Sequence, residues 1–260
     1  MLSLLEIKQY YSESLQVFER FILREYLQFK ILEIIFESKY ANKLTFLGGT
    51  CLRIVHGNSR FSEDLDFDHF KLSFEDFDEV SRIVKSELER LGYLVEIRNV
   101  KRGAFHCYIS FPELLYQQGL SNFKEEKILI QLDTESHKFD FKPEQPLLNK
   151  FDVFTQINST PLDLLLAQKF YAIINRKRNK GRDFFDIVFL LGMGQIPNYD
   201  YLYNKIGVQS PEELRYQILA KCAALDMQKM AEDVKSFLFN PKDVKKIIFF
   251  PQYLEQVKLY

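Results

Sequence analysis

The stretch that most constrains this chain is residues 46–68, FLGGTCLRIVHGNSRFSEDLDFD. Near its end Leu65 and Phe67 alternate with Asp64, Asp66 and Asp68. A period of two is that of a half-buried strand, with the apolar side chains on one face and the three acids on the other. Carboxylates sharing one strand face repel each other. A strand avoids that arrangement unless a cation sits there or the face is fully wet. Upstream, KLTFLGG reads as a short strand ending in a glycine turn, and TCLRIVHG as a short helix with Thr50 as its N-cap. Strand, glycine turn, helix and acid-bearing strand therefore follow one another directly.

Each part of that series suits phosphate and metal chemistry. Gly48 and Gly49 lack Cβ atoms, so backbone amides can approach an anion closely, and the helix that follows presents the positive end of its dipole. Thr50 adds a hydroxyl donor. Phosphoryl and nucleotidyl transfer use clustered carboxylates to hold two divalent ions about 4 Å apart, which activate the attacking oxygen and stabilise the leaving pyrophosphate. Magnesium takes hard oxygen ligands and keeps some of its water, so two or three carboxylates suffice. Taken singly, Gly-Gly-Thr is an ordinary turn and Asp-x-Asp an ordinary solvated strand; their order gives the specificity.

The rest of the chain reads as helix, then a mixed segment, then helix. In VFERFILREYLQFKILEIIFES apolar residues recur at three- and four-residue steps, so the first forty residues are expected to be helical. SFEDFDEVSRIVKSELERLGY predicts an amphipathic helix with Ser73 as N-cap, acids in its first turns and Gly92 near its end. LVEIRNV, FHCYISF and KILIQLDTE are strand candidates. From Pro161 onwards PLDLLLAQKFYAIINR, RDFFDIVFLLG and SPEELRYQILAKCAALDMQKMAEDVKSFLF are all helical. A boundary is expected between an α/β domain, residues 1–158, and a helical domain, residues 159–260. Only 10 Gly and 8 Pro in 260 residues favour long helices over a loop-rich all-β chain, and 25 Phe with 14 Tyr supply a substantial core.

Composition removes several function classes. A net charge of −1 provides no global basic field, so any nucleic-acid contact must be local. Cys51, Cys107 and Cys222 are odd in number and far apart, which excludes a disulfide framework and zinc spacing. Cys51, beside the glycine turn, is expected to be an inert buried thiol. MLSLLEIKQYYSES lacks the basic and apolar regions of a signal peptide, and no apolar run is long enough to cross a membrane. A cytoplasmic protein with no membrane partner is expected. His56, His69, His106 and His137 are scattered without a nucleophile–base arrangement.

Downstream lie further candidates. Asp133 ends a strand whose Ile128, Ile130 and Leu132 face the other way; it reads as a third metal ligand or as a surface acid. Lys169 sits in a strongly apolar helix, as a snorkelling lysine or as an ammonium for nucleotide phosphates. INRKRNKGRD carries five basic residues from Arg176 to Arg182 just before Asp183. That turn is either solvated or serves a triphosphate or RNA backbone. Asp183 and Asp186 share a helix face, where they could neutralise the basic run.

GGTCLR followed by RFSEDLDF resembles the AbiEii/AbiGii-type nucleotidyltransferase toxins of the polymerase-beta-like superfamily. KILIQLD has the form of the strand that carries that family's third acid, and AQKFYA followed by RKRNKGRDFFD resembles its later motifs. These motifs run from about residue 46 to 190; the last seventy residues carry none. The resemblance implies an α+β fold, a polymerase-beta-like core of mixed sheet and flanking helices followed by a helical C-terminal region. It implies Mg2+ or Mn2+ held by Asp64, Asp66 and Asp133, and an NTP substrate bound by Gly48, Gly49, Thr50, Lys169 and Arg182. Lys169 and Asp183, from the helical region, join Asp64 and Asp66 as catalytic residues, and Arg53, Arg60 and Ser62 brace the acidic loop. The implied role is the toxin of a toxin–antitoxin or phage-defence pair, with an antitoxin partner and an acceptor that is a tRNA 3′ end, another RNA or a protein. The rival of another class is a catalytically silent nucleotide-binding module acting through a protein partner; against it, every expected acid is present. A magnesium-dependent nuclease or phosphatase would leave the glycine turn and Lys169 without a joint purpose.

Overall fold

The structure, a computed structural model, describes residues 2–136 and 138–260; His137 lies outside the described residues. The chain forms two compact units, Met1–Val55 with Phe61–Ser159, and His56–Arg60 with Thr160–Tyr260.

The first unit contains α1 (Leu4–Lys8), α2 (Glu19–Glu37), β1 (Leu44–Leu47), α3 (Gly48–Ile54), β2 (Leu65–His69), α4 (Phe74–Arg90), β3 (Glu96–Arg102), β4 (Ala104–Phe111), α5 (Leu114–Gln117), β5 (Ile128–Glu135), β6 (Leu147–Lys150) and β7 (Val153–Gln156). The expected continuous N-terminal helix is broken. The Ser3–Glu6 capping box starts a helix of only five residues, and α2 begins at Glu19. The Ser73 cap of α4 forms as its sequence predicts: the Ser73 hydroxyl accepts from the Asp76 amide at 3.1 Å, and the Asp76 carboxylate accepts from the Ser73 amide at 3.2 Å.

Five strands form one mixed sheet in the order β1-β2-β5-β4-β3. The β2–β5 pair is parallel and the other pairs are antiparallel. Leu65, Phe67, Cys107, Ile109, Ile130 and Leu132 are buried on one face, where α4 packs against β3 and β4. Asp66, His106, Tyr108, Gln131 and Asp133 occupy the opposite, half-exposed face. The sheet therefore has a dry side that holds it together and a wetter side available for chemistry. The sequence pattern gives no element between the third downstream strand and Pro161, whereas β6 and β7 form a hairpin there. At four residues each, these strands are too short to show a period.

The second unit is helical: α6 (Leu162–Asn175), α7 (Gly181–Gly192), α8 (Tyr199–Ile206), α9 (Pro211–Ala223), α10 (Met227–Lys235), α11 (Lys245–Ile248) and α12 (Phe250–Gln256). The long helical pattern after Ser210 divides in two. Asp226 supplies a new N-cap, accepting from the amides of Gln228 at 3.0 Å and Lys229 at 3.1 Å. Gly181 opens α7 because α10 lies against it: a Cβ there would collide with the Met230 backbone carbonyl. Among the described residues no helix is long and apolar enough to cross a membrane.

Candidate active site

The register of β2, β5 and β4 gathers three polar side chains into a row. Asp66 lies beside Asp133 on the parallel neighbour, and Asp133 lies opposite His106. Lateral partners in a sheet point to the same face, and neighbouring strands are about 4.8 Å apart. Asp64 precedes β2 by one residue and shares the parity of Asp66. The Asp133 carboxylate is fixed from two sides: His106 Nδ1 lies 2.7 Å from Oδ1, and Gln131 Nε2 donates to both oxygens at 2.9 Å. His106 thus has a partner that its spacing in the sequence did not reveal. The sequence carries a signal for it: the alternation in FHCYISF places His106 on the polar face of a strand.

The glycine turn is built around the same acids. Leu47, the last residue of β1, pairs with Asp66, so the next residue passes directly over the Asp66 side chain. Gly48 adopts φ +82°, and a Cβ built on it would lie 3.1 Å from the Asp66 Cβ and Cγ and closer still to Oδ2. Glycine is required here twice over, for the backbone conformation and for the space occupied by a carboxylate. Thr50 is not the N-cap its sequence suggests: α3 starts at Gly48, with Leu47 as the cap residue. The Thr50 hydroxyl instead donates to the backbone carbonyl of Asp64, tying the helix to the loop that carries the acid.

Behind α3, Arg53 donates to the buried Glu25 of α2 through Nε at 2.7 Å and Nη2 at 3.1 Å. Lys150 and the Tyr11 hydroxyl each reach Glu25 Oε1 at 2.8 Å. Burial alone would push the Glu25 carboxyl upwards, but Arg53 and Lys150 outweigh it and hold it below the ordinary value. Arg53 is therefore a brace for α3. Cys51 is fully buried, and burial drives its thiol far up, consistent with an inert packing residue.

The donor set is suited to a hard divalent cation: carboxylate oxygens on a half-exposed face, with a cradle that a Cβ would fill. The expected trio of Asp64, Asp66 and Asp133 does not close into a cage; no group of three His, Cys, Asp or Glu among the described residues does so.

In the second unit, Lys169, Asp183 and Asp186 meet in a buried ion cluster. Lys169 Nζ lies 3.0 Å from Asp183 Oδ1 and 2.8 Å from Asp186 Oδ2. Arg60 clasps Asp186 through Nε and Nη2, both at 2.7 Å, and Asn58 donates to it at 2.8 Å. Arg176 reaches Asp183 at 2.6 Å. Burial works against the charge on Lys169, yet Asp186 and Asp183 raise its pKa overall. Burial likewise pushes Asp186 up, and Arg60 with Lys169 holds it below the ordinary value. The sequence points to Asp183 as the working acid and leaves Asp186 in the background. Asp186 is in fact the more deeply engaged, at 0% exposure. Arg60 appears in the sequence as a brace near the acidic strand; its partner is Asp186. Arg182 is half-buried in the first turn of α7.

Residues 30–244 match the family described as nucleotidyl transferase AbiEii toxin, type IV TA system. The fold is similar to the crystal structure of JHP933 from Helicobacter pylori, with TM-score 0.54 and 16% identity over 92% of this chain and 93% of that one. It is also similar to a candidate nucleotidyltransferase of H. pylori, with TM-score 0.56 and 17% identity over 90% and 94%. No curated protein shows significant similarity. At such identities the two structures speak for the shared α+β fold. The family match extends over most of the chain and includes the glycine turn and Asp64, Asp66, Asp133, Asp183 and Asp186, so the chain belongs to the AbiEii nucleotidyl transferase toxin family of type IV toxin–antitoxin systems and is a nucleotidyltransferase.

Proposed function

We propose that the chain transfers a nucleoside monophosphate from an NTP to a hydroxyl acceptor, with Mg2+ or Mn2+ held by Asp64 and Asp66 and with Asp133 as a third ligand. The observation that carries this reading is the lateral register of Asp66 and Asp133, capped by a glycine whose missing side chain makes room for the Asp66 carboxylate. Bound divalent ions supply positive charge to the attacking oxygen and the departing pyrophosphate. The chain's own residues orient the reactants. His106 and Gln131 keep the Asp133 carboxylate in one orientation, as partners of metal ligands do. Gly48 and Gly49 let backbone amides approach the triphosphate. The Thr50 hydroxyl is occupied with Asp64 and the residue is fully buried, so the share of Thr50 in nucleotide binding is to tie the first turn of α3 to the acid-bearing loop.

The new bond joins the acceptor oxygen to the α-phosphorus; the bond from that phosphorus to the leaving pyrophosphate breaks. Lys169 and Arg182 as triphosphate ligands, and Asp183 as the group that orients the acceptor and takes its proton, rest on the family pattern. Lys169 shares its ammonium between two aspartates, and one N–H donor remains for a phosphate. The acceptor is an RNA, such as a tRNA 3′ end, or a protein hydroxyl. The biological setting is the toxin of a toxin–antitoxin or phage-defence pair, with a cognate antitoxin as partner.

The test is incubation with each labelled NTP and Mg2+, with total RNA or with the protein alone, beside Asp66→Ala. Transfer that disappears with Asp66→Ala and with chelation of the metal is the expected result. Transfer that survives the substitution removes Asp66 from the site. No transfer to any acceptor, with NTP binding intact, would favour a silent nucleotide-binding module.

A further inference from the structure

On the assumption that the acceptor is RNA, we propose that Tyr108 and Arg98 form a stacking platform for the single-stranded end of that acceptor. Tyr108 follows His106 by two residues on β4, so it lies on the same sheet face as Asp133 and Asp66. Two strand spacings and two residues of rise place it about 12 Å from Asp66, a distance a short single strand spans. Arg98 is the cross-strand partner of Tyr108 on the edge strand β3, and its guanidinium carbon lies 4.7 Å from the tyrosine ring centroid. Tyr108 is half-buried and Arg98 is exposed. A guanidinium already laid on an aromatic ring offers its outer plane to a base, and such planes stack unpaired RNA bases.

Charge on this face runs in the direction that an RNA end requires. Carboxylates occupy the middle of the sheet, and the rim carries Arg98 and Arg102, four residues apart on one face. Neither rim arginine is paired with a carboxylate among the described residues, whereas Glu96 on the same strand is held by Lys127 at 2.7 Å. Phosphates along the rim would meet cations, while the terminal hydroxyl reaches the acids. Base stacking is tolerant of sequence and compensates for a chain with little net charge to attract nucleic acid.

A fluorescent single-stranded RNA of about 12 nucleotides serves as the probe for affinity by anisotropy, with the KM for NTP measured in parallel on each variant. Arg98→Ala and Tyr108→Leu are expected to weaken RNA binding about tenfold each, to leave the KM for NTP unchanged, and to preserve thermal unfolding within a few degrees. Tyr108→Phe, which keeps the ring, retains binding. RNA affinity within twofold of the parent in both variants overturns the proposal and leaves a cross-strand pair that only steadies the sheet edge. A change confined to the KM for NTP also overturns it, by assigning the platform to the incoming nucleotide. If the parent transfers label to protein but binds no single-stranded RNA, the platform fails while the transferase reading stands. If the parent binds RNA through these two residues yet transfers nothing, the platform stands and the transferase reading fails.

Discussion

Gly48 links the turn to the Asp66 carboxylate, and its replacement by alanine separates two physical effects. The residue sits at φ +82°, where an L side chain costs about 1–2 kcal/mol. In a domain of this size that corresponds to a fall in Tm of about 2–8 °C. The second effect is steric. The added Cβ would lie 3.1 Å from the Asp66 Cβ and Cγ and closer to Oδ2, so the carboxylate must move. A displacement of about 1 Å in a catalytic group costs on the order of 100-fold in rate. Gly92→Ala isolates the first effect, because Gly92 has φ +93° and nothing within 4 Å of the added Cβ. Thermal unfolding and label transfer are measured on both variants. Similar Tm losses are expected, with transfer lost about 100-fold only in Gly48→Ala. If Gly48→Ala transfers label as well as Gly92→Ala, the Asp66 carboxylate is not what the glycine makes room for, and the geometric basis of the site fails.

Three further outcomes follow from the ion pairs. His106→Ala frees one side of Asp133 and is expected to weaken Mn2+ binding about tenfold with little change in fold, as followed by metal titration and circular dichroism. Asp186→Ala leaves Arg60 and Lys169 without their shared counter-ion and should destabilise the chain by about 3–5 kcal/mol, read from urea unfolding. The pH profile has a defined sign. The folded pKa of Asp186 is depressed below its ordinary 3.8, so its contribution is present above that pH and is lost as pH falls through the folded value. The folded pKa of Lys169 is raised above 10.5, so its contribution is present below that pH and is lost as pH rises through the folded value. Stability from this pair is therefore level across the neutral range and drops at both ends. An Asp186→Asn variant whose stability falls in acid as steeply as the parent's would count against the cluster.

Much of the candidate site was legible because it is local. The alternation around Leu65 and Phe67, the Ser73 capping box and the Gly-Gly turn depend on neighbours a few residues away, and periodicity records such relations directly. The order strand, turn, helix and acidic strand, with the motifs near Lys169 and Asp183, led to the right family. Element boundaries were less legible. Thr50 looks like a cap by residue type, yet its hydroxyl is drawn to Asp64, fourteen residues on. The pattern after Ser210 is helical on both sides of a break that Asp226 caps.

The sequence by itself determined that an acid-bearing strand follows a glycine turn, and that a helical region follows the α/β segment. Those choices come from backbone preference and from a period of two or of three to four residues. Only the tertiary structure decided which acids stand together. The parallel pairing of β2 with β5 brings Asp66 beside Asp133 across sixty-seven residues, and the antiparallel pairing of β5 with β4 adds His106. It also set Arg60 on Asp186, 126 residues apart. Pairing of this kind is fixed by strand register and by the need of a buried charge for a counter-charge. Neither leaves a mark in the spacing along the chain.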